Sequence, residues 1–174
     1  ACIVVPGENT CAGAIEINAP YYDFADTTNA LDSYGALGAG CEPAGTSGGP
    51  DIVYSFTPKS TDIFRIHLQE LVFDAVVTIV TGCSPEQTGT CLTGLDSPGE
   101  EMMEVGLEAG TTYYIIVDGT DEFQYGSFAL SVESLGPCTP TCGGCNEPDG
   151  CGGVCPCETV TNDTCSTAIA IDSS

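Results

Sequence analysis

The sequence predicts an all-β fold: an antiparallel, jelly-roll-like β-sandwich followed by a small disulfide-rich spacer. Three observations carry this expectation. Short β-branched and aromatic runs recur roughly every 8–12 residues with Gly and Pro between them, the rhythm of a sandwich or jelly roll. Helix signals are poor throughout. Six of the 12 cysteines crowd into one Gly- and Pro-rich stretch that holds almost no large apolar side chains.

The strands are read in chain order. Residues 13–17 and 21–26 are the weaker candidates. Residues 51–58 (DIVYSFTP) suit a strand that ends at a proline. Residues 63–68 alternate, with Phe64, Ile66 and Leu68 on one face and Ile63, Arg65 and His67 on the other. Residues 75–80 (AVVTIV) read as a buried strand closed by Thr81-Gly82. Residues 102–107 alternate weakly. Residues 112–117 (TYYIIV) are a strong strand closed by Asp118-Gly119. Residues 127–132 place Phe128, Leu130 and Val132 inward.

Composition bounds the function. Twenty-five acidic residues face two basic ones, Lys59 and Arg65, for a net charge of −23. Two cations cannot neutralise a row of phosphates, so nucleic acid is excluded as a partner. Anionic membranes repel such a chain, and no apolar run approaches the ~18 residues of a spanning helix. No charged-then-apolar leader opens the chain, so a signal peptide is expected upstream or already removed. Apolar residues make up 42% of the chain, which argues against disorder. Twelve cysteines favour an oxidising, extracellular or cell-surface location.

The order DIVYSFTP, DAVVTIVTGC, Gly110 to Gly119 (GTTYYIIVDG) and Tyr125 to Val132 (YGSFALSV) resembles the bacterial pre-peptidase C-terminal family. The opening Asn9-Thr10-Cys11-Ala12-x-Ala14-Ile15 is similar to the start of a variant in large secreted bacterial proteins. The resemblance covers residues 8–135 or so. Val53 departs from it, since relatives often carry Trp there. It implies a jelly-roll-like sandwich, an extracellular location and no catalytic activity of its own. It does not imply one ligand; members are linked to secretion, adhesion and substrate or carbohydrate contact.

The chain also holds the start of a second copy. Residues 8–19 read ENTCAGAIEINA and residues 162–173 read NDTCSTAIAIDS. Thr, Cys, Ala, Ile and Ile coincide, and Cys165 follows Cys11 by 154 positions. The expected organisation is therefore 1–7 as the end of a preceding spacer, 8–136 as the sandwich, 137–158 as the spacer and 159–174 as the first strand of the next repeat.

Cysteine counting fits that period. Ten cysteines lie between Cys11 and Cys157: Cys11, Cys41, Cys83, Cys91, Cys138, Cys142, Cys145, Cys151, Cys155 and Cys157. The expected pairs are Cys11–Cys41, Cys83–Cys91 and three bridges within 138–157, although sequence does not fix connectivity. Zinc is the rival reading of Cys142-x-x-Cys145, but no histidine is near. Cys2 and Cys165 are left as inter-repeat cysteines, unless Cys2 pairs within the chain.

Candidate chemistry is thin. Gly45 to Pro50 superficially resembles a serine-protease nucleophile loop, yet the one histidine, His67, lies 20 residues after Ser47. In that protease family the base lies far upstream, so a triad has no support. Glu100-Glu101 and Asp121-Glu122 are neighbours in sequence and are expected to point apart. Calcium is the one cofactor the acidic excess suggests, at Asp118, Asp121 and Glu122 after a strong strand, with Asp51, Asp74 and Asp96 as weaker ligands. Asn162-Asp163-Thr164 is a glycosylation sequon within a threonine-rich stretch.

Two function classes follow. One is a non-catalytic structural or adhesive repeat of an extracellular fibre or giant surface protein. Its partners would be copies of itself, through tandem repeats or head-to-tail strand addition. Scarce tryptic sites, Lys59-Ser60 and Arg65-Ile66, suit an exposed fibre. The other is a carbohydrate- or protein-binding module of a secreted enzyme. The absence of Trp leaves a sugar-stacking platform poorly supplied.

Overall fold

A computed structural model describes residues 10–34, 41, 48–82 and 90–156. A 3-10 turn at Cys11–Gly13 leads into nine strands. They are β1 (Ile15–Ile17), β2 (Tyr21–Asp26), β3 (Ile52–Phe56), β4 (Asp62–Gln69) and β5 (Ala75–Thr81). After these come β6 (Thr90–Asp96), β7 (Glu101–Leu107), β8 (Tyr113–Gly119) and β9 (Ser127–Pro137).

The strands form two sheets, β1-β3-β8-β5-β6 and β2-β9-β4-β7. All neighbouring strands pair antiparallel except β1 and β3, which run parallel with Ile15 opposite Tyr54 and Ile17 opposite Phe56. The chain is therefore an all-β sandwich with a disulfide-rich region, as the strand rhythm predicts.

Alternation explains the core. Phe64, Ile66 and Leu68 of β4 and Phe128, Leu130 and Val132 of β9 point inward and are buried. They meet Tyr54, Phe56, Val77, Ile79, Ile115 and Val117 from the five-stranded sheet. Phe56 and Phe64 join the sheets edge to face, with ring centroids 5.0 Å apart. Each such side chain contributes roughly 1.5–3 kcal/mol through burial.

The five-stranded sheet is covered on its outer face too. Val53, Val80 and Ile116 point outward yet are buried with Tyr34. This accounts for the unbroken burial of residues 75–80 in β5, which are covered on both faces.

Two strands depart from the sequence reading. β6 (TCLTGLD) has no apolar alternation, and most of its side chains are exposed or half-exposed. Backbone pairing with β5 holds it, across an irregularity between Ile79 and Val80. β9 continues five residues past Val132, where alternation ends. Pairing with β4 carries it to Pro137 opposite Asp62, with a register shift at Ile63/Phe64.

The cysteine-rich segment folds around sulfur. Cys138–Cys151 and Cys142–Cys155 are bonded, and Cys151 and Cys155 are buried where a larger unit would place apolar side chains. It packs onto the sandwich at β7. A Cβ on Gly106 would run into the backbone of Gly150 and Cys151, and one on Gly152 would meet Tyr113 Oη at 2.8 Å. That hydroxyl also accepts the Glu108 N–H at 3.0 Å. The Cys138 N–H donates to Thr61 O at 3.1 Å.

This seam is testable. Gly106→Val drives a side chain into the backbone of Gly150 and Cys151 and should cost about 1–3 kcal/mol, the usual range for overpacking. Thermal unfolding with disulfides intact should show a lower Tm for Gly106→Val. Gly48→Ala, whose added methyl has no neighbour within 4 Å, should leave Tm unchanged.

Candidate functional site

Buried carboxylates gather at one end of the five-stranded sheet. Asp51 precedes β3, Asp118 lies near the end of β8, and the pairing of Ile52 with Val117 sets them side by side. Asp51 is fully buried. Its Oδ2 accepts the N–H groups of Ser33 at 2.6 Å and Tyr34 at 2.8 Å, while Oδ1 has no hydrogen-bond partner. Asp118 Oδ1 accepts the Gly49 N–H at 3.0 Å. Both side chains fasten loops to the sheet end.

The expected calcium loop is a closed turn. Asp118 is turned inward to Gly49, whereas Asp121 and Glu122 are exposed. Asp121 Oδ1 accepts the Phe123 N–H at 2.8 Å, and Asp121 O accepts the Gln124 N–H at 3.0 Å. Asp74 is tied to the same turn, since its carbonyl accepts the Thr120 N–H at 3.1 Å. Among the described residues, no three His, Cys, Asp or Glu side chains are grouped to hold a metal ion.

Glu100 and Glu101 do point apart. Glu100 meets His67 Nε2 at 3.0 Å on the outer face of the four-stranded sheet. Glu101 is fully buried, and its Oε1 accepts the Ser97 N–H at 2.9 Å, which caps the β6–β7 turn. Ser47 lies outside the described residues, as do Cys2, Cys83, Cys157, Cys165 and the sequon at Asn162.

The disulfides correct the expected pairing in the sandwich. Cys41 bonds Cys91, with Cα atoms 5.4 Å apart, so neither Cys11–Cys41 nor Cys83–Cys91 forms. The reason is the unread strand. β6 carries Cys91 along the sheet edge opposite Val80, where it meets Cys41. Cys11 and Cys145 are also disulfide-bonded. Of the three bridges expected within the cysteine-rich segment, Cys138–Cys151 and Cys142–Cys155 are seen among the described residues.

The outer face of the four-stranded sheet carries exposed aromatics. Tyr22 and Phe24 of β2 stack edge to face, with centroids 5.6 Å apart. Register sets Tyr22 in one row with Ser131, His67 and Met102, and Phe24 in the next with Ala129 and Gln69. At the far end of the same face Arg65 reaches Glu104 at 2.7 Å and Glu133 at 2.8 Å, tying three strands. Such exposed pairs add little to stability, because water and salt screen them.

The fold and its fastenings define a disulfide-tied β-sandwich module with a covalently stapled appendage. Among solved structures, the chain is similar to the pre-peptidase C-terminal domain of a collagenase from Bacillus anthracis. Identity is 15% and the TM-score 0.43, over 68% of this chain and 93% of that one. It is also similar to a family 35 carbohydrate-binding module from an environmental isolate, at 15% identity and TM-score 0.33, over 66% and 91%. A GH26-CBM35 β-(1,4)-mannanase from Podospora anserina aligns at 13% identity and TM-score 0.27, over 75% and 32%. No family model and no curated protein matches the chain.

Two measurements test this chemistry. Burial raises the Asp51 pKa from 3.8 to about 7, outweighing the two N–H bonds that favour its anion. A raised acid contributes stability that is complete below the unfolded value and lost as pH rises through about 7. Tm should therefore rise as pH falls from 8 to 5. Asp51→Asn should raise Tm at pH 8 and flatten that slope; an unchanged slope would contradict the assignment. Separately, replacing Cys41 and Cys91 together by Ser should cost about 2–4 kcal/mol, and non-reducing peptide mapping should recover their linked peptides.

Proposed function

We propose that the chain is a unit of a non-catalytic extracellular array in which copies follow one another linearly. The observation that carries this reading is the return of the 8–19 sequence at 162–173. Residues 10–17 are an entry element of the sandwich, the 3-10 turn and β1, so their return reads as the entry of another unit. The layout supports this. The chain enters at β1 on one lateral edge, and the appendage leaves it beside β7 on the other. Disulfides mark an oxidising compartment, and among the described residues no helix is long and apolar enough to cross a membrane. The strong acidic excess, −23 over the chain, would keep neighbours apart and soluble.

A second reading, a ligand-binding accessory module, is favoured by the exposed Tyr22–Phe24 pair beside the polar row on β4. Negative-stain imaging of native surface material separates the two. Linear chains of evenly spaced particles are expected for the array. Isolated particles, together with glycan-array binding that Tyr22→Ala/Phe24→Ala abolishes, would favour the accessory module.

A further inference from the structure

We propose that the cleft between β6 and the cysteine-rich segment docks an extended peptide segment of another protein, apolar with a basic side chain for Glu104, which adds to β6 as a further strand. The proposal is independent of the array reading and gives the unit a foreign partner.

The edges of the two sheets are not equally open. β1 has only three residues. β2 follows Pro20 and carries Asp23 and Asp26, features that discourage strand pairing. β7 is covered at Gly106 by the backbone of Gly150 and Cys151. β6 is seven residues long, holds no proline and bears one charge, Asp96 at its end. It pairs with β5 alone, and among the described residues its outer N–H and C=O groups make no backbone hydrogen bond. Such an edge is a template for a strand from another chain.

A cleft of about 480 Å3 adjoins that edge, within the roughly 300–1,000 Å3 usual for ligand sites. Leu92, Val105, Pro148 and Val154 give it an apolar lining. Cys91 lies opposite Val80 and Thr93 opposite Ile79, so Leu92 has no counterpart on β5, and its side chain is exposed. Val154 is exposed on the facing wall, among glycines that leave room for a backbone. Cys41–Cys91, Cys138–Cys151 and Cys142–Cys155 hold the two walls, so docking orders little that is not already fixed.

Charge selects the partner. Glu104 is the one charged side chain among the described residues of the lining. Both Arg65 hydrogen bonds to it end on Oε1, which leaves Oε2 for a basic group. A second copy would bring the same excess of 25 acidic over two basic residues, so a basic segment of another protein is the complement.

Selection from a displayed library of random octapeptides, against the full chain with its disulfides intact, supplies the probe. Enriched peptides should combine apolar residues with Lys or Arg. Amides of β6 that exchange fast in the free chain should slow in the complex, while those of β2 stay unchanged. N-methylation of alternate peptide amides keeps the side chains and removes the ladder, so binding should weaken at least about tenfold. Leu92→Glu with Val154→Glu should abolish binding at unchanged Tm, because both side chains are exposed. A library that yields no binder would overturn the proposal. So would a peptide that slows no β6 amide, binds equally well when N-methylated or tolerates the Glu pair. Outer β6 amides already slow in the chain alone would overturn it too, since the edge would then be taken.

Discussion

The outer face of the five-stranded sheet must be kept dry, and much of the molecule is arranged to do it. Val53, Val80 and Ile116 present apolar side chains away from the sandwich interior. Tyr34 covers them, together with Cys11 and Ala14 at the 3-10 turn. Tyr34 lies on irregular chain that has no ladder of its own, so its backbone needs other fastenings. Asp51 supplies two by accepting the Ser33 and Tyr34 N–H groups. The Cys11 N–H donates to the Tyr34 hydroxyl, and the Cys41–Cys91 bridge ties Cys41 to β6.

That arrangement explains a feature that would otherwise look costly. A fully buried carboxylate with one unmet oxygen is expensive, and neither of the chain's two basic side chains serves it. Asp51 offsets part of the cost by holding a proton up to about pH 7. The same end of the sheet uses Asp118 to hold Gly49. Asp118 and Asp121, two of the three residues named for a calcium loop, each accept a backbone N–H. On the outer face of the four-stranded sheet Arg65 is a local clamp across three strands.

Much of this was legible in the sequence. Strict alternation placed Phe64, Ile66, Leu68, Phe128, Leu130 and Val132 in the core, and turn residues set the strand spacing. The cysteine-rich tail was readable because nothing else in it could form a core. β6 was not readable: its stability comes from hydrogen bonds to β5, and Thr90 to Asp96 carry no periodic mark of that. Missing β6 led to the wrong partner for Cys91. The burial of Asp51 was equally hidden, since an aspartate before a strand looks like any loop residue. The Tyr22–Phe24 pair was overlooked because β2 was a weak strand, and the side of the sheet its rings face depends on register with β9.

Tyr34 is the point at which these fastenings meet, because it lies over the outer face while Asp51 holds its amide. Hydrogen exchange resolved at the Ser33 and Tyr34 amides tests this most directly. The account predicts that both exchange far more slowly than open chain and that Asp51→Ala frees them. Exchange of both at the open-chain rate in the unaltered chain would contradict it.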